Sequence, residues 1–340
     1  MPTIDVSKLR YKAIIVTENG GQIDLTPDVT PDSKPILTEL LWEENRRELA
    51  SRTSIIIPNI YVGREPLVNK IKLNQRLFIY ADWGQGATEV FRGPIVRRNL
   101  DLDNYGELSL TAYDSLWYYQ RSQDQLYISA GTTCKAAITR LLDRWNVPYE
   151  YKGPSTKMAK GRLFRSDTIA EIILTLLDEA RQKGDGEYVV KDVQGTLVIE
   201  PVAKNSVVWN FTPNIINRVT DEQSIEDLVT RVKILSDTGD DQENPVDAVV
   251  NGKTEFGILQ EIMYHDVDMS LAEAKRAAQT IINERGSPAK TLTFETIDIP
   301  PVRKGDKIQF TVGERKIESF VEAVQHNALQ RRMAIEVKIT

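Results

Sequence analysis

The last fifty residues alternate. Ile308, Phe310 and Val312 take every second place, with Lys307, Gln309 and Thr311 between them. Ile335, Val337 and Ile339 alternate in the same way with Glu336, Lys338 and Thr340. A shorter alternating run spans 291–294 and an apolar one spans 317–324, with turns at Lys304-Gly305-Asp306 and Val312-Gly313-Glu314. Period two puts one row of side chains on a core face and the other in water. Four such runs predict an antiparallel sheet, curled into a barrel.

The pattern occurs twice. Asn74-Gln75 before 77–80 matches Gly305-Asp306 before 308–311, and Phe91-Arg92-Gly93-Pro94-Ile95-Val96 matches Phe320-Val321-Glu322-Ala323-Val324. Residues 107–112 match the last strand. Upstream, 36–57 lies on 215–236 without a gap, best at Glu48-Leu49-Ala50-Ser51-Arg52 against Asp227-Leu228-Val229-Thr230-Arg231. Two copies are too few for a solenoid. The order of the matches predicts two tandem, diverged β-domains.

Along the chain, strands are expected at 11–16 and 23–25 around Asn19-Gly20, a hairpin dipeptide. A loop follows at 26–34. The spacing in 36–42 suits a helical turn or a buried strand, and its likeness to 215–220 favours the strand. Further strands are expected at 52–60, 71–80, 89–99 and 107–113. The middle changes character. Thr133 can cap a helix in which Cys134, Ala137, Ile138, Leu141, Leu142 and Trp145 share one apolar face. Thr168 and Glu171 form a capping box for a second helix over 169–180. A hairpin turns at Gln194-Gly195. Ser270 with Glu273 caps a third helix, ending near Gly286.

The chain has 340 residues, 41% hydrophobic and 27% charged, which suits two or three globular domains. A net charge of −6 argues against a dedicated nucleic-acid binder. Residues 1–10 are polar, with no apolar core of a secretory signal, and no run approaches a membrane span. The expectation is a protein folded in a cytoplasm. The single Cys134 excludes an internal disulfide framework.

Chemistry is sparse. His265 and His326 lie outside any nucleophile elbow, and His326 reads as a turn residue bonded to its neighbours. One cysteine and two distant histidines do not make a zinc site. Asp237, Asp240, Asp241, Glu243 and Asp247 do not fit an EF-hand loop and read as a solvated acidic segment, 236–247. No GxxxxGK[ST] or GxGxxG is present. Glu43-Glu44 and Glu171 have surface or capping explanations. Trp117 and Trp145 fall on apolar faces and read as core; Trp42, Trp83 and Trp209 are scattered. Arg97-Arg98 and Gln330-Arg331-Arg332 are basic spots near strand ends. No catalytic, cofactor or metal residue is assigned, and no cofactor is called for.

A wider pattern begins at Leu110-Thr111-Ala112-Tyr113-Asp114-Ser115-Leu116-Trp117-Tyr118-Tyr119. A strand ending Ala-Tyr-Asp, an aromatic segment and a helix like 134–145 resemble the baseplate hub proteins of contractile phage tails, in the Gram-positive prophage and phage-tail-like bacteriocin branch. Tyr188-Val189-Val190 with Gly195-Thr196-Leu197, Phe256-Gly257-Ile258-Leu259-Gln260, and Lys304-Gly305-Asp306-Lys307-Ile308 leading to Val321-Glu322-Ala323-Val324-Gln325-His326 agree.

The resemblance implies a mainly β chain with an α+β insert. Two tandem tail-tube-like β-barrel domains, at 1–118 and 204–340, would flank a small α/β module at 119–203. The second would carry an inserted loop and helix at about 237–290. It further implies a non-enzymatic homotrimer that joins a sixfold tail tube to a threefold central spike in a particle assembled in the host cytoplasm. Its partners would be its own copies, the tube and spike proteins, other baseplate proteins and the tape measure protein, without membrane insertion or specific nucleic-acid binding. The rival reading is a tail-associated peptidoglycan hydrolase, which predicts a pocket of converging carboxylates. A type VI-like spike carrier is a third.

Overall fold

The computed structural model describes residues 6–26, 36–62, 64–102, 106–158, 161–236, 243–265 and 270–338. Strands β1 (Arg10–Val16) and β2 (Gln22–Asp24) form the expected first hairpin. Then come β3 (Glu39–Asn45), β4 (Arg52–Ile57), the short β5 (Tyr61–Val62) and β6 (Glu65–Pro66), helix α1 (Leu67–Lys70), β7 (Arg76–Asp82), β8 (Thr88–Leu100) and β9 (Leu108–Tyr113). The middle holds α2 (Trp117–Arg121), β10 (Gln123–Ile128), α3 (Cys134–Arg144), β11 (Tyr149–Tyr151), β12 (Arg162–Thr168), α4 (Ile169–Gln182), β13 (Tyr188–Val193) and β14 (Thr196–Pro201). The remainder is β15 (Trp209–Phe211), β16 (Ile216–Ser224), β17 (Arg231–Ser236), β18 (Val246–Asn251), β19 (Gln260–His265), α5 (Leu271–Arg285), β20 (Ala289–Ile297), β21 (Lys307–Val312), β22 (Arg315–Asn327) and β23 (Arg332–Lys338).

The fold is mainly β. Two compact units are present, Met1–Val219 with Phe294–Val337, and Thr220–Thr293 with Lys338–Thr340. In the second unit β17 pairs antiparallel with β18 and parallel with β19. Helix α5 starts at the Ser270–Glu273 capping box and buries Ala274, Ala278 and Ile282 with Val232 and Ile234 in a small core.

In the first unit α3 and α4 pack their apolar stripes together. Leu141, Leu142, Ile172, Ile173 and Leu176 are buried, as the helical spacing predicts. Both N-termini are capped as expected, by Thr133 and by the Thr168–Glu171 box. Strands β10 and β12 pair antiparallel with each other, in stretches where the sequence pattern predicts no strand. Residues 67–70 form α1, so β7 starts later than the expected 71.

The large sheet runs β16-β20-β23-β22-β3-β4-β9-β8-β7-β1-β2, with β21 on β22 and β15 on β21. Among the described residues this path is open and does not return on itself to close a barrel. It contains one order twice, β3-β4-β9-β8-β7 and β16-β20-β23-β22-β21. The agreement extends to single bonds. The Asn74 amide donates to the Ile95 carbonyl at 2.8 Å and the Ile95 amide to Gln75 at 2.9 Å. The Gly305 amide donates to Val321 at 2.7 Å and the Val321 amide to Asp306 at 2.9 Å. Strands β8 and β22 each carry a bulge just after this contact, between Ile95 and Arg97 and between Val321 and Ala323.

These pairings correct the gapless overlay. Its first half, β3 on β16, agrees with the strand order. Its second half fails, because β20 takes the place of β4 while β17 belongs to the other unit's sheet. Strands 52–57 and 231–236 look alike because both alternate apolar and polar, which fixes a face but not a neighbour. The Phe91 to Phe320 match also slips, since Ile95 is the counterpart of Val321.

Candidate functional site

Four segments distant in sequence meet at a buried ionic joint in the first unit. From β3 comes Glu44, with Ser51 from the loop after it and Asp114 just past β9. Lys191 and Asp192 come from β13. Arg303, Lys304 and Asp306 come from the turn before β21. Arg303 donates through Nε to Glu44 Oε1 at 2.7 Å and through Nη2 to the same oxygen and to the Asp192 carbonyl. Ser51 Oγ also donates to Glu44 Oε1, at 2.9 Å, and the Lys304 amide to Oε2, at 3.0 Å. Lys304 is fully buried, and its Nζ donates to the carbonyls of Asn45, Glu48 and Leu49 at 3.4, 2.9 and 2.7 Å. All three ammonium protons are thereby used. Lys191 Nζ bridges Asp306 at 2.9 Å and Glu200 at 3.1 Å.

Two carboxylates serve as backbone staples. Asp114 accepts the Ser51 and Leu116 amides at 2.8 and 3.0 Å. Asp192 accepts the Gly195 amide at 2.8 Å and the Ser115 hydroxyl. Burial alone would raise the Glu44 carboxyl, but the Arg303 guanidinium and the Lys304 charge overcome it and hold the group well below the carboxylate range. Burial pulls Lys304 down to about 8 against the pull of Glu44 and Asp114. Burial and the neighbouring Asp192 push Asp114 up to about 7.

A second buried cluster corrects the reading of His326. It is not at a turn. It lies in β22, fully buried, stacked on Trp42 at 3.8 Å, with Nδ1 2.7 Å from Asp298 Oδ1 and Nε2 3.1 Å from the Val302 carbonyl. Tyr11 donates to the other Asp298 oxygen. Glu44 is likewise corrected from surface to core, whereas Glu43 is half-buried and bonds Gln325 and Arg52. Glu171 does cap α4. Trp145 is no core residue; it ends α3, 38% exposed, and its indole N–H donates to Asp124 at 2.8 Å. Cys134 is buried and unpaired. The His265 side chain and Asp237, Asp240 and Asp241 lie outside the described residues. Asp247 accepts from Ser236. The reading by sequence missed Asp114, Lys191, Asp192, Arg303 and Lys304 as a group.

Beside the joint is a cavity of about 160 Å³ reached by Glu89, Asp114, Asp192, Arg92 and Arg303. Its carboxylates are engaged, Glu89 by Arg92 and the two aspartates as above. The arrangement can lock segments together; an uncommitted acid–base pair is not among its described groups.

The YQBQ-like family matches residues 51–340. The chain belongs to this family. Among curated proteins none matches it. Its fold is that of phage tail proteins. It is similar to the tail protein from Neisseria meningitidis MC58, at 14% identity and a TM-score of 0.65, covering 97% of this chain and 96% of that one. The 43 kDa tail protein of prophage MuSo2 from Shewanella oneidensis matches at 13% identity and 0.64, over 96% and 98% of the two chains. The E. coli c3393 protein, a component of the type VI secretion system with structural similarity to T4 bacteriophage tail proteins gp27 and gp5, matches at 10% identity and 0.52, over 98% and 77%.

Proposed function

We propose that this YQBQ-like chain is a structural hub protein in the baseplate of a contractile phage tail or phage-tail-like bacteriocin. Three copies form a pseudo-sixfold ring between the sixfold tail tube and the threefold central spike. The particle is assembled in the host cytoplasm, and other baseplate proteins and the tape measure protein adjoin the ring. The observation that carries this reading is the strand order present twice in one chain, with the two sets joined edge to edge by β22 on β3. A joint between unlike edges of two similar units can be repeated by rotation until it closes. In the next repeat, β8 stands where β22 stands and β16 where β3 stands. Strand β16 ends the sheet path, and β8 pairs with β7 only over Thr88–Pro94. Within the chain, Gln325 on β22 donates to Glu43 on β3 at 3.0 Å. The register of β8 puts Asn99 at the place of Gln325, and the sequence overlay of 36–45 on 215–224 puts Glu222 at the place of Glu43, again an amide and a carboxylate.

The buried ionic joint fits an adaptor that holds its segments in one arrangement, because withdrawing one partner leaves the other as an uncompensated buried charge. Reconstruction of the intact tail tip tests the reading. Three copies per ring on the tube axis are expected; six copies, or an off-axis position, would refute it. The hydrolase reading has one observation in its favour, the three carboxylates around the 160 Å³ cavity. Clearing of purified cell wall by this chain alone would establish that reading in place of the hub.

A further inference from the structure

Arg97 and Arg98 are adjacent on β8, and the structure separates them. Arg98 turns to the end of α1, donating through Nε to the Ile71 carbonyl at 3.1 Å and through Nη2 to the Val68 carbonyl at 2.8 Å. Arg97 points the other way, as period two requires. On that face Arg97 stands opposite Thr111, and Arg52 opposite Tyr113, across β8-β9-β4. Helix α2 then lays Trp117 and Arg121 beside them. The Trp117 ring stacks on Tyr113 with centroids 6.3 Å apart. The result is a pocket of about 270 Å³ lined by three arginines, two aromatic rings and no acid.

The charge balance of this pocket is unmet. Arg97 and Arg121 have no hydrogen-bond or ion-pair partner among the described residues. Arg52 has one partner, the half-buried Glu43 at 3.2 Å. The sheet does not demand these residues. In the second set of strands, the bulge places Ala323 where β8 has Arg97, and Glu336 faces it where Thr111 faces Arg97. Three guanidiniums held together in a chain of net charge −6 select an anionic ligand.

We propose that this pocket is a docking site for a short acidic segment of a partner polypeptide, its carboxylates on Arg52, Arg97 and Arg121 and its backbone or apolar groups on Trp117. Guanidinium–carboxylate pairs are two-pronged and directional, which three arginines in one pocket can exploit. The volume is close to the lower end of pockets that take extended organic groups and larger than one simple anion needs. A nucleic acid would call instead for cations spread along a groove that tracks many phosphates.

The test uses the full chain and a fluorescein-labelled hexaglutamate peptide, followed by anisotropy at low salt. Binding should weaken tenfold or more in Arg97→Glu/Arg121→Glu. Both positions are exposed, so circular dichroism should be unchanged. Binding should persist in Arg315→Glu, an exposed change on β22 outside the pocket. Unlabelled inorganic phosphate should compete only at far higher concentration than unlabelled peptide. Four results would overturn the proposal: no binding at millimolar peptide, equal binding by the double variant, equal competition by phosphate, which marks a simple anion site, or tighter binding of a single-stranded oligonucleotide that the same double variant abolishes, which marks a nucleic-acid site.

Discussion

Asn74 and Gly305 hold the same place in two copies of one turn, each in the left-handed region, at φ of 65° and 81°. Each is followed by a residue whose side chain accepts the backbone N–H two places before the turn residue. Gln75 takes the Lys72 amide at 3.0 Å and Asp306 takes the Arg303 amide at 2.9 Å. The turn thus survives where little of the sequence does, because its backbone geometry and its bonds to Ile95 and Val321 set the strand register.

The two positions should respond differently to a Cβ. At Gly305 an added Cβ would meet Val189 Cγ1 at 2.8 Å, and the positive φ disfavours any L side chain. Gly305→Ala should cost roughly 1–3 kcal/mol or more in urea unfolding. Asn74→Gly meets the same φ without strain and should stay within about 0.5 kcal/mol. Equal effects at the two sites would show that φ and the Val189 contact do not matter.

The ionic joint should dominate acid sensitivity. The Glu44 carboxyl is held well below its unfolded value of about 4.3. Its contribution to stability is therefore full above that pH and is lost as pH falls through the lower folded value. Glu44→Gln leaves the Arg303 guanidinium without its buried partner and should cost about 3–5 kcal/mol at neutral pH. The stability difference between wild type and variant should shrink as pH is lowered below about 4. A difference constant from pH 7 to pH 2 would mean that Glu44 is not the group being protonated.

The elements were legible because they rest on local pattern. Capping boxes at Thr168 and Ser270 and apolar stripes on α3, α4 and α5 need no tertiary information. Neighbours were not legible, since a strand with one apolar face accepts many partners, as β4 and β17 show. The joint left one trace. Glu44 continues the buried row Leu40, Trp42, and Asp114 continues the row Leu108, Leu110, Ala112. Lys304 and Asp306 precede Ile308 and Phe310 on the same parity. Acids and bases that extend a core row, from three segments at once, are a sign of charges paired inside. Polarity alone read Glu44 as surface.

His326 and Asp298 should be strongly coupled. His326→Phe keeps an aromatic ring over Trp42 but leaves the buried Asp298 carboxylate with Tyr11 alone. The loss should be about 3 kcal/mol or more, since a charged group left without a buried partner costs more than a neutral one. In a double-mutant cycle with Asp298→Leu, the coupling should exceed about 1 kcal/mol. Additive losses would show that the two side chains act independently.

The ring itself can be trapped chemically. If the joint between β22 and β3 is repeated between chains, Asn99 of one chain lies opposite Glu222 of the next, as Gln325 lies opposite Glu43. Directly paired residues in antiparallel strands bring their Cβ atoms to about 4.5–5.5 Å, near what a disulfide spans after small adjustment. The lone native thiol, Cys134, is buried and pushed up to about 11 by burial, so it should not compete. Asn99→Cys/Glu222→Cys protein, assembled into particles and oxidised, should run as dimer and closed trimer on a non-reducing gel. Either single variant should run as monomer. A heterologous joint that does not close would yield a ladder beyond three chains, and a different assembly would yield no ladder at all. Either outcome would remove the strand-level basis for a three-chain ring. A trimer band that reverts to monomer on reduction would place β8 and β16 together between subunits.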